Sequence, residues 1–214
     1  MNPRHDTHRA ELSAALRAAG IADVDDSALA RALYSSDASL YRVLPQAVVR
    51  PRHVEEIAAA LDVCRQLAVP LTVRGAGTSI AGNAVGPGVV LDTSRHLTRI
   101  LHVDPDSSLA VVEPGVVQAQ LQAAARPHGL RFGPDPSTHN RCTIGGMVGN
   151  NACGSRALAY GRTSDNVLGL DVVTGAGARL TLDNRAGPSP VADGILASLG
   201  DLVANDLATI RTEL

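Results

Sequence analysis

A glycine-rich stretch between two short apolar runs carries the residues best suited to bind a ligand. It reads Arg-Gly-Ala-Gly-Thr-Ser-Ile-Ala-Gly-Asn over residues 74–83. Glycines at this spacing let successive main-chain N–H groups point into one concavity, which is a common way to bind an anion. Thr78 and Ser79 add hydroxyl donors, and the guanidinium of Arg74 is suited to a phosphate oxygen. The stretch therefore indicates a cradle for a pyrophosphate group.

Two other glycine motifs that bind phosphates fit this stretch poorly. A P-loop requires a lysine after its last glycine, and none follows here. A Rossmann fingerprint opens a helix, whereas this stretch runs through further glycines and a proline into the apolar run at residues 89–91. A glycine-rich connection without any ligand stays open as an alternative, because a glycine loop alone is a weak motif.

A second segment, residues 133–161, shows no sustained period of either a strand or a helix. Long loops of this kind are usually functional or disordered, and the small apolar residues here argue against disorder. We expect the segment to wrap a large, flat ligand. Gly145 and Gly146 are predicted to open a short helix over residues 147–151 whose first N–H groups face that ligand.

Composition excludes several other classes of function. The 214 residues are 45% hydrophobic and 19% charged, which is typical of a globular protein. A net charge of −2 and 2% aromatic residues give no case for nucleic-acid binding. The three cysteines are an odd number without metal-ligand spacing, so neither a disulfide framework nor a metal site is expected. No stretch reaches transmembrane length, so we expect a cytoplasmic location, with peripheral attachment to the inner membrane face as the alternative.

The elements that must position these residues follow an α+β pattern. Apolar spacing predicts helices over residues 11–19 and 27–33, an amphipathic helix from Val54, and a helix over 117–125. Further predicted elements are strands at residues 47–50, 71–73, 89–91, 100–103, 109–113, 130–132, 167–174 and 179–182, and a helix over 194–213. This order predicts a small mixed sheet rather than a long doubly wound one.

Several motifs, in order along the chain, resemble one known family. They lie at residues 34–41, 74–82, 112–116, 133–138, 142–147 and 149–154, and include Cys-Thr-Ile-Gly-Gly-Met and Gly-Asn-Asn-Ala-Cys-Gly. Together they resemble the FAD-binding domain of FAD-linked oxidases, typified by vanillyl-alcohol oxidase and p-cresol methylhydroxylase. Within that family the chain looks most like bacterial D-lactate, glycolate and D-2-hydroxyglutarate dehydrogenases, especially long forms with a C-terminal iron–sulfur part.

The resemblance implies an α+β fold of two small sheets with flanking helices, truncated before the substrate cap. It implies an N-terminal helical lead-in at residues 1–44 and a FAD-binding domain at 45–182. Residues 183–214 would be a linker and the incomplete start of the next helical segment. The catalytic residues are unknown and expected in the cap, and any iron–sulfur cluster would belong to the C-terminal part.

The resemblance also assigns FAD-binding residues. The first loop would wrap the pyrophosphate, and residues 134–146 would run along the isoalloxazine and the pyrophosphate. Residues 149–154 would continue around the ribityl and flavin side, and residues 160–161 with the strand at 167–172 would complete the adenine side. The implied contacts are Arg74, Gly75, Ala76, Gly77, Thr78, Ser79, Gly82, Asn83, Pro134, Asp135, Ser137, Thr138, Cys142, Thr143, Ile144, Gly145, Gly146, Gly149, Asn150, Ala152, Gly154, Tyr160, Gly161, Val167 and Val172.

Three residues beside this loop have two interpretations each. His139 could be a base or a flavin attachment point, but we favour a role in stabilising the loop. The attachment histidine of the related enzymes usually sits in the first glycine loop, which has none here. Cys142 and Cys153 are expected to be small packing residues where the backbone passes close to the ligand, rather than reactive thiols.

The implied function is the FAD-binding portion of a D-2-hydroxy acid dehydrogenase, in which a hydride passes from the substrate α-carbon to flavin N5. A quinone, a cytochrome or a flavoprotein would then accept the electrons. The alternatives are a non-catalytic flavin- or nucleotide-binding module or subunit, and an NADPH-dependent flavin reductase of the cell-wall precursor type. We expect the 214 residues alone to turn over no substrate and to bind FAD weakly or not at all.

Overall fold

A computed structural model describes residues 3–183 and 189–213 of the chain. Residues 184–188, which belong to the predicted linker, lie outside the described residues. The chain divides into two compact units, residues 1–166 and 167–214. The first unit contains both glycine-rich segments that the sequence singles out.

A four-stranded mixed sheet is the first layer of this unit. Its strands, in the order β1-β2-β4-β3, are β1 (Val24–Asp25), β2 (Ala47–Val49), β3 (Leu71–Arg74) and β4 (Val89–Asp92). Strand β4 runs parallel to both β2 and β3, whereas β1 is antiparallel to β2. Every residue of β2 and β4 is buried, because both strands lie in the middle of the sheet.

Helices α1 (Pro3–Ala18) and α3 (Val54–Gln66) pack on this sheet. Leu12 and Leu16 of α1 join Val63 of α3 and alternate residues of β2 and β4 in one apolar cluster. The short helix α2 (Ala28–Leu33) is capped by the Ser27 hydroxyl, which accepts a hydrogen bond from the N–H of Ala30 at 3.1 Å. This layer fixes the strand ends from which the first glycine loop departs.

Residues 75–88 connect β3 to its parallel neighbour β4. A parallel connection must return the chain to the opposite end of the sheet, which ordinarily takes a helix. Here it is a loop that leaves the carboxyl end of β3 and enters β4 at its amino end. The glycine-rich sequence therefore begins at the sheet edge where the carboxyl ends of β3 and β4 lie side by side.

A second layer of the first unit follows β4. It consists of the antiparallel hairpin β5 (Ile100–Asp104) and β6 (Leu109–Val112), and the helices α4 (Gln118–Ala125), α5 (Ile144–Gly149) and α6 (Ala157–Tyr160). Its own apolar cluster contains Val116, Leu121, Cys142, Ile144 and Met147. The second glycine-rich segment is thus built around a separate small core.

The second unit has an antiparallel hairpin and a helix. Strands β7 (Gly169–Val173) and β8 (Arg179–Asp183) pair so that Leu170 faces Leu182 and Val172 faces Leu180. Helix α7 (Pro190–Glu213) follows, and none of its described residues is buried.

These elements confirm the predicted α+β fold, with one small mixed sheet and two antiparallel hairpins among the described residues. Helix α1 begins at Pro3, whereas the sequence predicts a start at residue 11. The apolar spacing misses the first turns because they are polar and show no apolar period. Helix α7 likewise begins at Pro190 instead of residue 194, and α5 at Ile144 instead of residue 147.

The strand predicted at residues 130–132 is wrong. Phe132 has the hydrogen bonds of a paired strand residue, but both come from one side chain. The Gln122 side-chain amide donates to the carbonyl of Phe132 at 2.6 Å and accepts from its N–H at 3.1 Å. Because this side chain of α4 replaces a neighbouring strand, the segment stays extended without joining a sheet.

Candidate functional site

The first glycine loop, residues 75–83, keeps most of its main-chain N–H groups open. Seven of them donate no hydrogen bond to any described residue: those of Gly75, Ala76, Gly77, Thr78, Ser79, Ile80 and Gly82. Most of these residues are half-buried, and their N–H groups have no acceptor in the described chain. Half-buried N–H groups gain stability from an acceptor, and a bound anion would supply one.

Arg74 supports this loop from its scaffold side. Its Nη1 donates to the carbonyls of Ser36 and Ala84 at 2.9 and 3.0 Å. A Cβ on Gly77 would collide with the Arg74 guanidinium, and Gly77 adopts a φ of +68°, so this position requires glycine. The sequence predicts that Arg74 meets a phosphate, and in the structure its Nη1 also holds the loop in shape.

Tyr34 connects Arg74 to the sheet. The guanidinium of Arg74 lies 5.1 Å from the centre of the Tyr34 ring. The Tyr34 hydroxyl donates to Oδ2 of the buried Asp92 at 2.6 Å, at the carboxyl end of β4. Burial, together with this bond to Asp92, raises the pKa of Tyr34, so the hydroxyl keeps the proton that it donates.

The Ser79 hydroxyl supports the far side of the loop. It accepts hydrogen bonds from the N–H groups of Ala81 at 3.2 Å and Asn83 at 3.4 Å. The neighbouring Thr78 hydroxyl makes no hydrogen bond to the described residues. One of the two predicted hydroxyls is therefore occupied as an acceptor in the turn, while the other is open.

The two glycine-rich segments meet at this loop. A Cβ on Gly75 would overlap the Thr143 hydroxyl, so only glycine allows the two backbones to approach so closely here. Asn83 Nδ2 donates to Asn150 Oδ1 at 2.8 Å, which joins the end of the loop to the end of α5. Five residues predicted for the site are thereby brought together: Gly75, Ala76, Asn83, Thr143 and Asn150.

A cleft of about 340 Å³ opens beside this meeting point. It is lined by Ala76, Ser94, Thr98, Gly115, Val117, Gln120, Arg141 and Thr143. Ala76 follows β3 and Ser94 follows β4, so the cleft lies at the carboxyl ends of two parallel strands. Ligands of open α/β sheets bind at this edge.

The prediction that the first N–H groups of α5 face the ligand is wrong. Those of Ile144 and Gly145 donate to the carbonyls of Val116 and Pro114, both at 2.8 Å. The next two N–H groups of the helix bond to the hydroxyl and the carbonyl of Thr143. The glycines of α5 serve packing instead, since a Cβ on Gly145 would lie 2.7 Å from the Cβ of Pro114.

A second run of open N–H groups lies at residues 153–155. Within the described chain, Cys153, Gly154 and Ser155 donate no main-chain hydrogen bond. The run is held by Asp135, whose carboxylate accepts from the N–H of Arg156 at 3.2 Å and from its Nε at 3.1 Å. A Cβ on Gly154 would overlap the main chain of Asp135, so glycine permits this contact.

Several other predicted residues have structural positions. Cys142 and Ile144 are buried in the second apolar cluster, and Ala152 packs against it. Burial raises the pKa of the Cys142 thiol, which favours packing over reactivity at this position. The main-chain carbonyl of His139 accepts a hydrogen bond from the N–H of Ala119 at 3.0 Å.

The remaining predicted residues frame the second segment or lie in the second unit. The carbonyl of Pro134 accepts from Gln118 Nε2 at 3.1 Å, and Thr138 accepts main-chain bonds at the turn before Cys142. Tyr160 covers Gly133, and Gly161 turns the chain with a φ of +71°. Ser137 is exposed and its side chain makes no hydrogen bond to a described residue, and a Cβ on the exposed Gly149 would meet open space. Gly146 lies against Thr143, and Val167 and Val172 belong to the second unit.

Sequence reasoning missed six of the residues that line the cleft. They are Ser94, Thr98, Gly115, Val117, Gln120 and Arg141. A signal for two of them was present, because Gly115 lies in the 112–116 motif and Arg141 stands between Thr138 and Cys142, both of which were chosen. The rest reach the cleft through packing of the two layers, which local sequence does not reveal.

Comparisons with known proteins agree with this geometry. A family model described as a FAD binding domain matches residues 45–183. The chain is 40% identical over 164 residues to the D-2-hydroxyglutarate dehydrogenase of Pantoea ananatis, covering 75% of this chain and 16% of that protein. It is 38% identical over 165 residues to glycolate oxidase subunit GlcD of Bacillus subtilis, covering 76% and 35% respectively.

Among solved structures, p-cresol methylhydroxylase has the same fold, with a TM-score of 0.73 at 19% identity, over 88% of this chain and 40% of that one. The chain spans well under half of the length of each of these proteins. The family match covers more than half of this chain and includes both glycine-rich segments. FAD is therefore the cofactor of this domain, and the chain belongs to the FAD binding domain family of FAD-linked oxidases.

Proposed function

We propose that the chain is the FAD-binding portion of a flavin-dependent D-2-hydroxy acid dehydrogenase of the D-lactate, glycolate or D-2-hydroxyglutarate class. The observation that carries the proposal is the run of open N–H groups in residues 75–82. That run occurs in a chain whose relatives are named for D-2-hydroxyglutarate and glycolate. When bound, FAD would supply the redox chemistry by accepting a hydride from the α-carbon of the substrate.

The residues of the first loop have the properties that a diphosphate requires. Their N–H groups supply hydrogen-bond donors without side chains that would fill the space, and the Thr78 hydroxyl adds another donor. Asn83 and Asn150 tie this loop to the second segment, where residues 153–155 offer a further set of N–H groups. The residues predicted from sequence remain the proposed contacts, with Arg74 positioning the loop and Cys142 and Ile144 packing beneath it.

The organisation of the whole protein is part of the same proposal. Residues 1–44 would lead into the FAD-binding domain at 45–182, and residues 183–214 would begin the connection to a substrate cap that carries the catalytic residues. A quinone, a cytochrome or a flavoprotein would accept the electrons. Of the described helices, none combines the length and apolar character that crossing a bilayer requires. We propose a cytoplasmic location, with peripheral association at the inner membrane face as the alternative.

The test is made on the protein expressed at its full encoded length and supplied with FAD. We expect bound flavin in the visible absorbance spectrum and bleaching of that spectrum, without oxygen, by D-lactate, glycolate or D-2-hydroxyglutarate. The L-enantiomers of lactate and 2-hydroxyglutarate serve as matched controls and should leave the spectrum unchanged. Bound flavin that only NADPH reduces would identify a reductase instead, and absence of bound flavin would overturn the proposal entirely.

A further inference from the structure

One arginine lines the cleft with its charge unpaired in the described chain. The Arg141 side chain is exposed and makes no ion pair, side-chain hydrogen bond or ring contact with the described residues. Its main chain is well fixed, because its own N–H donates to the carbonyl of Thr138 at 2.7 Å and the next N–H donates to the same carbonyl at 2.8 Å. The guanidinium therefore extends from a rigid base at the edge of the cleft.

No described residue on the cleft wall carries a negative charge that would balance the guanidinium of Arg141. Among the described residues that line the cleft, Arg141 alone is charged. The Ser94 side chain contacts the carboxylate of Asp92. That carboxylate already accepts hydrogen bonds from the Tyr34 hydroxyl at 2.6 Å and from the N–H and hydroxyl of Ser94 at 2.7 Å. A cation in a polar cleft with no carboxylate on its wall favours an anionic ligand.

Arg74, the arginine that the sequence predicts to meet a phosphate, is partly bonded within the protein. Its Nη1 donates hydrogen bonds to the carbonyls of Ser36 and Ala84, and its guanidinium lies over the Tyr34 ring. The loop N–H groups provide hydrogen bonds but no net charge, so a diphosphate bound by them alone would keep its charge uncompensated. Arg141 shares the cleft with Ala76, the second residue of that loop.

We propose that Arg141 supplies the positive charge that compensates the diphosphate of the bound dinucleotide. This inference rests on the proposed function, because it presupposes that the first glycine loop binds FAD. Since the side chain is exposed, its attraction to the diphosphate is screened by salt and contributes modestly to affinity. The affinity for FAD should therefore depend on the charge of the side chain at position 141 and on the ionic strength.

The experiment measures FAD affinity of the apoprotein at full encoded length by titration at low and high salt. Arg141→Gln should weaken FAD binding by about three- to tenfold at low ionic strength. At about 0.5 M salt this difference should shrink by at least half, because the Debye length there falls to a few ångströms. Arg141→Lys should retain most of the affinity and the salt dependence, and Arg141→Glu should lose more than the glutamine variant.

The matched control is Arg126→Gln. Arg126 is another exposed arginine of the same layer, and it does not line the cleft. Its substitution should leave FAD affinity unchanged. Competition by ADP, which carries a diphosphate, should weaken in Arg141→Gln by the same factor as FAD, whereas competition by adenosine should not change.

The outcomes separate this inference from the function on which it rests. If the wild-type protein binds no FAD, the proposed function fails. If wild type binds FAD and Arg141→Gln equals Arg126→Gln at both salt concentrations, only the role of Arg141 is refuted. A raised KM for the hydroxy acid with unchanged FAD affinity would assign Arg141 to the substrate carboxylate and would also overturn the inference.

Discussion

The two glycine-rich segments of the first unit use their glycines for opposite purposes. In residues 75–82 glycine lets the backbone turn so that N–H groups stay open, and support comes from side chains such as Arg74 and Ser79. In residues 144–147 the N–H groups are all bonded within the protein, and Gly145 permits contact with Pro114. The number of glycines alone does not identify a ligand site. The presence or absence of a protein acceptor for each main-chain N–H group is the better indicator.

This difference predicts different consequences of substitution. A side chain added at Gly145 in the second segment meets Pro114, including its backbone, so it should lower the stability of the fold. A side chain added at Gly77 in the first loop meets the end of the flexible Arg74 side chain, so it should change the loop and the binding of FAD more than the fold. The following predictions, on the full-length protein, test that separation.

The largest effect on stability is expected for Gly145→Ala. Its Cβ would lie 2.7 Å from the Pro114 Cβ and 3.0 Å from the Pro114 carbonyl oxygen, neither of which can rotate away. We expect the free energy of unfolding of this unit to fall by about 2 kcal/mol, measured by urea denaturation. Gly149→Ala is the control at the end of the same helix, where nothing lies within 4 Å. Equal losses in the two variants would contradict the packing role of Gly145.

Tyr34→Phe tests the support of the first loop. Loss of the hydroxyl removes a 2.6 Å hydrogen bond to the buried Asp92 carboxylate. The free energy of unfolding should fall by about 1 to 2 kcal/mol, with a smaller loss of FAD affinity through Arg74. Tyr41→Phe is the control, because the Tyr41 hydroxyl has no partner in the described chain. If both variants are as stable as wild type, Tyr34 does not anchor the loop.

Gly77→Ala tests the loop itself. Alanine at a φ of +68° is strained by about 1 kcal/mol and would displace the Arg74 guanidinium. We expect about a tenfold loss of FAD affinity, by titration, with little change in the melting temperature of the apoprotein. Gly175→Ala in the second unit, where a Cβ meets open space, should change neither quantity. A variant that melts early yet binds FAD normally would contradict the assignment of this loop.

The smallest effect concerns the second run of open N–H groups. Cys153 is exposed, whereas burial raises the pKa of Cys142 and raises that of Cys64 to about 11. Iodoacetamide at about pH 8 should therefore modify Cys153 first, since the thiolate is the reactive form. FAD should slow this modification a few-fold, followed by mass spectrometry. Unchanged labelling with FAD bound would place residues 153–155 outside the cofactor contacts.

The sequence contained the parts of the fold that depend on local pattern. Apolar residues at helical spacing predicted α3, and the glycines between β-branched runs predicted a loop flanked by β3 and β4. Local pattern did not reveal the hydrogen-bond partners that more distant parts of the chain supply. The N–H groups of Ile144 and Gly145 bond to carbonyls of residues 116 and 114, and Gln122 replaces a strand partner of Phe132.

The two arginines illustrate the same limit for the site. Arg74 stands in the first glycine motif, and Arg141 stands in the second segment, between the motifs at residues 133–138 and 142–147. Only the packed structure shows that carbonyls of Ser36 and Ala84 accept hydrogen bonds from Arg74 and that Arg141 lines the cleft. Residue type and position in a motif indicated the ligand, whereas the three-dimensional contacts show that Arg74 is partly bonded within the protein and that the Arg141 side chain makes no hydrogen bond to a described residue.

Amide hydrogen exchange with and without FAD tests the central claim most directly. Seven N–H groups of the first glycine loop, those of Gly75, Ala76, Gly77, Thr78, Ser79, Ile80 and Gly82, should exchange fast in the apoprotein and become protected when FAD binds, because they donate no hydrogen bond to any described residue. Those of residues 144–147 should be protected in both states. Bound FAD that leaves residues 75–82 exchanging as fast as before would contradict the claim that this loop holds the diphosphate.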